Sequence, residues 1–381
     1  MRREPITDAP DRAARRAITA MFLANGMAVA SFIARIPDVQ TDLGLREATL
    51  GLVLPGVSIG VISGLLLSGW LIPRTGSRRL MLIGASVAIV MLPLAGLASN
   101  ALLLGLALVV LGLGGSTMDV GMNAQGVGIE RSYGRSIMVG MHAAWSAGTL
   151  LGALGGTIAT TTGTPVATHL LIVAAIITVI AATASRWLSI DDVAAPGTPA
   201  HFAIPRGALF PLALIAFAAA LGENTAASWS GLHLRDTVVV PAAQVGWGYV
   251  AYTAAMVTVR VFGDRLVVRF GRQRVVSGGG VLAALGFLLM ASVPTLIATL
   301  IGLVMIGLGL GTTVPLAFAT AGRVARTPGE GVAAVASVGY LAFLVGPPTI
   351  GILADTIGLS VGFVLVAAVI AILTTRRLPV Q

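Results

Sequence analysis

The sequence predicts an all-α membrane protein in which twelve transmembrane helices form two pseudo-symmetric halves of six helices each. Three observations predict this fold class: an apolar composition, a series of long apolar runs, and an internal repeat. Hydrophobic residues make up 56% of the 381 residues, charged residues make up 10%, and the mean hydropathy is +0.95. A soluble protein of this length needs far more polar surface than this composition supplies.

The apolar runs set the number of helices. A transmembrane helix needs roughly 20 apolar residues. Unbroken apolar runs such as residues 101–114 exclude a membrane barrel, whose strands alternate apolar and polar residues over about 10 positions. The predicted spans are 17–37, 48–72, 80–98, 101–128, 136–159, 164–186, 207–233, 243–263, 275–293, 295–322, 332–353 and 357–375.

The two halves of the chain match at a constant offset. The polar loop after the second span of each half carries the clearest pairs, which are Arg74 with Arg269, Gly76 with Gly271, and Arg79 with Arg274. Parallel repeats of six helices are typical of transporters whose substrate site lies between the halves. The predicted organisation is a cytoplasmic tail at 1–16, a six-helix bundle at 17–186, a cytoplasmic linker at 187–206, a six-helix bundle at 207–375 and a cytoplasmic tail at 376–381.

Charge and residue usage exclude several classes of function. The formal charge is +9, but all 24 basic residues are arginines placed in the gaps between apolar runs, which argues against a nucleic-acid surface. Without Lys there is no Schiff base or phosphate-loop lysine, and without Cys there is no thiolate nucleophile or thiolate metal site. The sequence therefore predicts no enzyme, no cofactor and no metal.

The arginines also predict the orientation of the helices. With the N-terminus inside, most of them fall on the cytoplasmic side, including the group from Arg260 to Arg274, and only Arg35, Arg46 and Arg235 fall outside. We therefore expect a multi-pass protein of the cell inner membrane with both termini in the cytoplasm. Its expected partners are the lipid bilayer, a small-molecule substrate and protons, with no nucleic acid, and the protein is expected to be a monomer.

The loop at 69–79, GWLIPRTGSRR, resembles the signature loop of the major facilitator superfamily, and the resemblance covers essentially the whole chain. The family places an acidic residue where this chain has Pro73, which departs from the usual charge pairing. Residues 22–40 and 118–148 resemble the branch of sugar- and cyclitol-associated permeases that includes rhizopine-transport-like proteins. The resemblance implies transport by alternating access. The repeated basic loops predict a pair of cytoplasmic gates that hold helix ends together in the outward-facing state: Gly69, Arg74, Gly76 and Arg79, then Asp264, Arg269, Gly271 and Arg274.

Two carboxylates lie inside predicted spans. An acid within the membrane is costly unless it faces a cavity or a partner, so Asp119 and Glu223 are candidates for proton coupling. Asp119 shares a helix face with Ser116 and Asn123. The alternative for Asp119 is a structural role, in which the acid ties its helix to a neighbour by hydrogen bonds. We expect Asp119 to carry the proton and Glu223 to contact substrate.

Other polar and aromatic residues within the spans are candidates for the substrate cavity, and each has the alternative of an ordinary packing role. They are Asn25, Asn123, His142, Trp145, Ser146, Asn224, Trp229, Tyr252 and Tyr340. Gly148, Gly152 and Gly156 recur every four residues, which predicts close approach of a neighbouring helix. Residues 346–351, GPPTIG, predict a bend or break in a helix.

Three functions remain open from the sequence. The first is a secondary active transporter that moves a small polar, sugar- or cyclitol-like solute by alternating access coupled to protons. The second is a drug or metabolite exporter working as a proton antiporter, which predicts a larger and more apolar cavity. The third is a membrane-embedded receptor, which predicts ligand binding without flux.

Overall fold

The computed structural model describes residues 8–133, 137–188, 204–325 and 328–376. Within these ranges the chain forms α-helices and one π-helical turn, and no strand. Residues 8–16 of the predicted tail are helical, whereas residues 1–7, most of the predicted linker and residues 377–381 lie outside the described ranges.

The first half of the chain contains seven described helices. The second of them is a short connector at one end of the bundle, and the short third helix leads directly into the fourth. The helices are α1 (Asp8–Ile33), α2 (Ile36–Leu43), α3 (Glu47–Val53), α4 (Pro55–Gly96), α5 (Ala101–Tyr133), α6 (Met138–Thr161) and α7 (Val166–Ala184).

The second half contains eight described helices and the π-helical turn His233–Thr237, which follows its first helix. The helices are α8 (Leu209–Leu232), α9 (Ala242–Val245), α10 (Trp247–Phe270), α11 (Arg272–Ser292), α12 (Leu296–Leu310), α13 (Thr313–Val324), α14 (Pro328–Ile357) and α15 (Leu359–Thr374).

These helices supply twelve membrane crossings in the described part of the chain. Eight helical stretches are long and apolar enough to cross a membrane, and one of them, Glu47–Gly96, is 50 residues long and changes direction at Gly76, so it crosses twice. The helices α6, α10 and α15 supply the remaining three crossings. The predicted fold class is therefore confirmed. The predicted span 295–322 differs in detail, because α12 ends at Leu310 and α13 begins at Thr313.

The internal repeat is visible in the backbone. Gly76 has φ 75° and ψ 160°, and its partner in the second half, Gly271, has φ 78° and ψ 154°. A side chain is strained at such positive φ values, so glycine is the residue that permits this sharp change of direction. The two halves thus change direction at matched positions with the same backbone conformation.

Close packing of α1 against α6 follows from the predicted row of glycines. A Cβ atom placed on Gly148 would collide with the carbonyl oxygen of Leu23, and one on Gly152 would lie 2.5 Å from that of Met27. A Cβ atom on Gly156 would likewise collide with the side chain of Ala34. The predicted close approach is confirmed. It lets the two helices associate by van der Waals packing, because the bilayer supplies no hydrophobic driving force between helices.

We call the end of the bundle that carries Arg12 and Arg376 the proximal end, and the opposite end the distal end. Contacts between the two halves concentrate at the distal end, where α3 packs on α14. There Gly51 and Gly351 approach so closely that a Cβ on Gly351 would lie 2.9 Å from the Cα of Gly51. The two halves are therefore in direct contact at this end.

Two arginines fasten the distal end across the halves. Arg46 forms a bidentate ion pair with Asp355 of α14, in which Nε lies 3.1 Å from Oδ1. The hydrogen bond and charge of Asp355 raise the pKa of Arg46 above its ordinary value. Arg235, in the π-helical turn, donates from Nη1 to the carbonyl oxygen of Pro37 at 2.6 Å and to Oγ1 of Thr41 at 2.7 Å. We call these contacts the distal gate.

Candidate functional site

Asp119 lies on the surface of the first half that faces the second half. Its side chain is exposed on α5, and it interacts electrostatically with Tyr340 of α14. Asn123 donates from Nδ2 to Oδ1 of Asp119 at 3.1 Å, so the two predicted residues act as a pair. Ser116 is directed elsewhere, since its hydroxyl donates to the carbonyl oxygen of Val61 at 2.9 Å. Asp119 therefore carries an exposed carboxylate at the interface between the halves.

Helix α6 brings His142 and Trp145 to the same interface. His142 is exposed and makes an edge contact with Phe22, with ring centroids 5.1 Å apart. Trp145 donates from Nε1 to Oδ1 of Asn25 at 3.0 Å, and Asn25 donates in turn to the carbonyl oxygen of Gly115 at 3.3 Å. Asn25 thus links three helices and fixes the orientation of the indole ring.

Glu223 is the carboxylate of the second half, on α8. It is half-buried, and its buried Oε1 has no hydrogen-bond partner among the described residues. The neighbouring Asn224 is also half-buried, and its Oδ1 would lie 4.0 Å from a Cβ placed on Gly346 of α14. An unpaired buried acceptor costs free energy, which makes Glu223 a natural site for a proton or a donor from a ligand.

Arg260 is a site residue that the sequence analysis missed. It was grouped with the cytoplasmic arginines, but it lies within α10, ten residues before the helix ends at Phe270. Its Nε donates to the carbonyl oxygen of Gly311 at 3.1 Å, and it interacts electrostatically with Glu223 of its own half and His142 of the other half. The signal that could have found it is its position inside the predicted span 243–263.

Four predicted cavity residues are buried in the protein interior in this conformation. Trp229 is 0% exposed, so it packs in the interior in this conformation, and a place in the substrate cavity stays a prediction. Asn25 and Ser146 are also buried, and each makes hydrogen bonds within its own half. The hydroxyl of Ser146 donates to the carbonyl oxygen of His142 at 3.2 Å. Tyr252 is buried beside Met256, yet it interacts electrostatically with Glu223.

The predicted gate loops lie at the proximal end, and the arginines described there make local contacts. The guanidinium of Arg74 lies 4.2 Å from the centroid of the Trp70 ring and donates to the Trp70 carbonyl oxygen at 2.6 Å. Arg269 lies 5.3 Å from the Phe270 ring, while Arg79 and Arg274 are exposed.

The glycines of the same loops differ from one another. Gly76 and Gly271 hold the positive φ values described above, whereas a Cβ on Gly69 would meet open space. The side chain of Asp264 lies outside the described part of the structure. Whether these loops join the halves in the opposite conformation stays a prediction. Among the described residues, no cluster of three His, Cys, Asp or Glu side chains could hold a metal ion.

Comparison with known proteins agrees with this architecture. The family model described as Major Facilitator Superfamily matches residues 17–209 and 212–380. The uncharacterized transporter y4wD of Sinorhizobium fredii is 34% identical over 366 residues, which cover 94% of this chain and 96% of that protein. The membrane protein MosC of Rhizobium meliloti is 29% identical over 361 residues, covering 93% and 86% of the two chains.

A solved structure has the same fold. A bacterial homolog of the human lysosomal transporter Spinster, in an inward-facing and unoccupied conformation, superposes with a TM-score of 0.75 at 12% identity, covering 97% of this chain and 96% of that one. Twelve crossings, two repeated halves and polar residues on their facing surfaces are the features expected of such a transporter. The chain belongs to the major facilitator superfamily and is a multi-pass membrane transporter.

Proposed function

We propose that this transporter moves a small polar, sugar- or cyclitol-like solute across the inner membrane together with protons, as a monomer with both termini in the cytoplasm. The observation that supports the proposal is that each half has a carboxylate within a membrane-spanning helix: Asp119 interacts electrostatically with Tyr340 of the other half, and Glu223 interacts with Arg260. The resemblance to sugar- and cyclitol-associated permeases supports the solute class. In this orientation the closed distal gate corresponds to an inward-facing state.

The proposed cycle assigns different work to the two acids. Asp119 is exposed in this structure, and in the proposed orientation its carboxylate exchanges a proton with the cytoplasm. When the proximal end closes and the distal gate opens, the same carboxylate meets the other side of the membrane. An unpaired carboxylate is costly away from water, so loading and release of a proton accompany the change of access. Glu223, beside Asn224, contacts the solute.

Substitution of the two acids separates these roles. In proteoliposomes that contain Asp119→Asn, we expect loss of solute uptake driven by a proton gradient, while exchange of solute at equal concentrations continues. Glu223→Gln should lose both, because it removes a ligand of the solute. Exchange needs no net proton movement, which is why it distinguishes a coupling acid from a binding acid. Radiolabelled solute flux measures both quantities.

Asp42→Asn is the matched control, because Asp42 is an exposed acid on α2 at the distal end. It should retain both activities. If Asp119→Asn and Glu223→Gln both keep gradient-driven uptake with wild-type proton stoichiometry, the proposed coupling is wrong. Movement of solute only in the outward direction would instead favour the exporter alternative.

The proposed topology is tested by labelling single cysteines, since the natural chain contains none. Cysteines at Ser189 and Gln381 should resist a membrane-impermeant maleimide in intact cells and react after permeabilisation, because both positions are expected in the cytoplasm. A cysteine at Val239, which is 75% exposed near the distal end, should react in intact cells. The reverse pattern would contradict the proposed orientation.

A further inference from the structure

Arg260 and Gly222, the neighbour of Glu223 on α8, both contact the end of α12, and Glu223 interacts electrostatically with Arg260. Arg260 bonds to the carbonyl oxygen of Gly311, the residue after the helix. Gly222, next to Glu223, packs on Leu310, because a Cβ placed there would lie 2.6 Å from Cδ1 of that side chain. A cation and a carboxylate are therefore brought to one place in the membrane-spanning part of the second half.

The guanidinium of Arg260 retains most of its hydrogen-bonding capacity. A guanidinium has five N–H donors, and the bond to Gly311 occupies the one on Nε. In the described part of the chain, no carboxylate lies within the 4.0 Å ion-pair distance of Arg260, and Glu223 interacts with it only at longer range. Among the described residues no acceptor is bonded to the terminal nitrogens, and an anion would bind this planar group with two parallel bonds.

Glu223 supplies the complementary half of a binding site. Its Oε1 is a buried acceptor without a partner among the described residues, so it fits a hydroxyl donor or a proton. His142, from the other half, also interacts with Arg260 and places this cation at the interface where a solute would be enclosed. One site thus offers bonds for an anion and for a hydroxyl group.

We infer that the transported solute is a hydroxylated carboxylate of the sugar-acid type, whose carboxylate binds the terminal nitrogens of Arg260 and whose hydroxyl donates to Glu223. This inference rests on the proposed function and specifies its substrate class. The charges of the site also explain why transport of such a solute would be coupled to protons. A proton taken up by Asp119 removes a negative charge from the interface, which strengthens the binding of an anion at Arg260.

The test uses matched pairs of solutes with the purified full-length protein. D-gluconate and D-glucuronate are each compared with an uncharged counterpart, D-glucitol and D-glucose, by thermal-shift and by calorimetric titration. We expect the wild type to prefer each acid over its counterpart. Arg260→Gln should weaken binding of the acids by about tenfold or more, the effect of about 1.4 kcal/mol for loss of a charge-assisted pair, and should abolish the preference. Arg265→Gln is the control, since that exposed arginine lies on the same helix.

Three outcomes would overturn the substrate class: no acid stabilises the wild type, the uncharged solutes bind as well as the acids, or Arg260→Gln keeps the wild-type preference. Counterflow of the same four solutes in proteoliposomes separates this failure from failure of the proposed function. Transport of D-glucose or D-glucitol without transport of the acids would leave the polar-solute transporter intact and remove only the acidic class. An Arg260→Lys variant that recovers acid binding in part would confirm that the positive charge is recognised.

Discussion

Replacing Gly148 with Val is expected to prevent stable assembly of the first half. The Cβ of the new side chain would occupy the space of the Leu23 carbonyl oxygen, which belongs to the backbone of α1 and cannot rotate away. The two helices must therefore separate, which breaks the packing on both sides of the contact. Overpacking commonly costs about 1–3 kcal/mol, and we expect about 3 kcal/mol or more where backbone must move.

The measurement is the thermal stability of the detergent-purified protein, followed by size-exclusion chromatography of heated samples. Gly140→Val is the matched control on the same helix, because a Cβ at Gly140 would meet no atom within 4 Å. It should remain close to wild type. Equal stability of the two variants would show that the close approach of α1 and α6 is not required for folding.

The glycine contacts and the twelve crossings could be predicted from the sequence because each follows from a property of one helix, which is either the spacing of its glycines or the length of its apolar run. The bilayer sets the length of each apolar run, and the spacing of Gly148, Gly152 and Gly156 places all three on one helix face whatever the neighbour. The repeat of Gly76 and Gly271 was predictable for a similar reason, since each loop carries its own backbone requirement.

The candidate site was only partly predictable, because the rotation and depth of a helix are set by its neighbours. Sequence position placed Asp119 and Glu223 inside predicted spans. In the structure Asp119 interacts electrostatically with Tyr340 of the other half, and Glu223 interacts with Arg260 of its own half. The same reasoning grouped Arg260 with the arginines of the loops, although it lies within α10, and it could not show that Trp229 is fully buried in this conformation. It also missed that Asn25 and Trp145 bond to each other, since this pair joins helices far apart in sequence.

The three arginines that depart from the predicted charge asymmetry acquire a role in the structure. All of them lie at the distal end and are bonded there. Arg35 contacts Asp38 with Nε 2.5 Å from Oδ2, and Arg46 and Arg235 form the distal gate. The positive-inside rule describes an excess of basic residues on the cytoplasmic side, so a basic residue on the other side calls for a structural explanation. Here the reason for two of them is contact between the halves.

Loss of Arg235 is expected to open the distal gate. Arg235 carries three of the bonds that tie the second half to α2, to Pro37, Thr41 and Gln40, and its side chain is 27% exposed. Arg235→Ala removes these bonds from the closed state only, so the population open at the distal end should rise about tenfold, as for a loss of about 1.4 kcal/mol. Arg46→Ala should have a smaller effect, because its side chain is 76% exposed and such ion pairs contribute little.

The distances between spin labels report this change without any assumption about orientation. Cysteines at Asp42 on α2 and Thr356 on α14 place one label on each half at the distal end, in a chain that has no cysteine of its own. In lipid nanodiscs, Arg235→Ala should increase the long-distance population of this pair. Thr162→Ala is the control, because its hydroxyl bonds only within its own half, to Ile158, Ala159 and Thr164. A distance distribution that is identical in wild type and Arg235→Ala would mean that packing of α3 on α14, and not the arginine, holds the distal end closed.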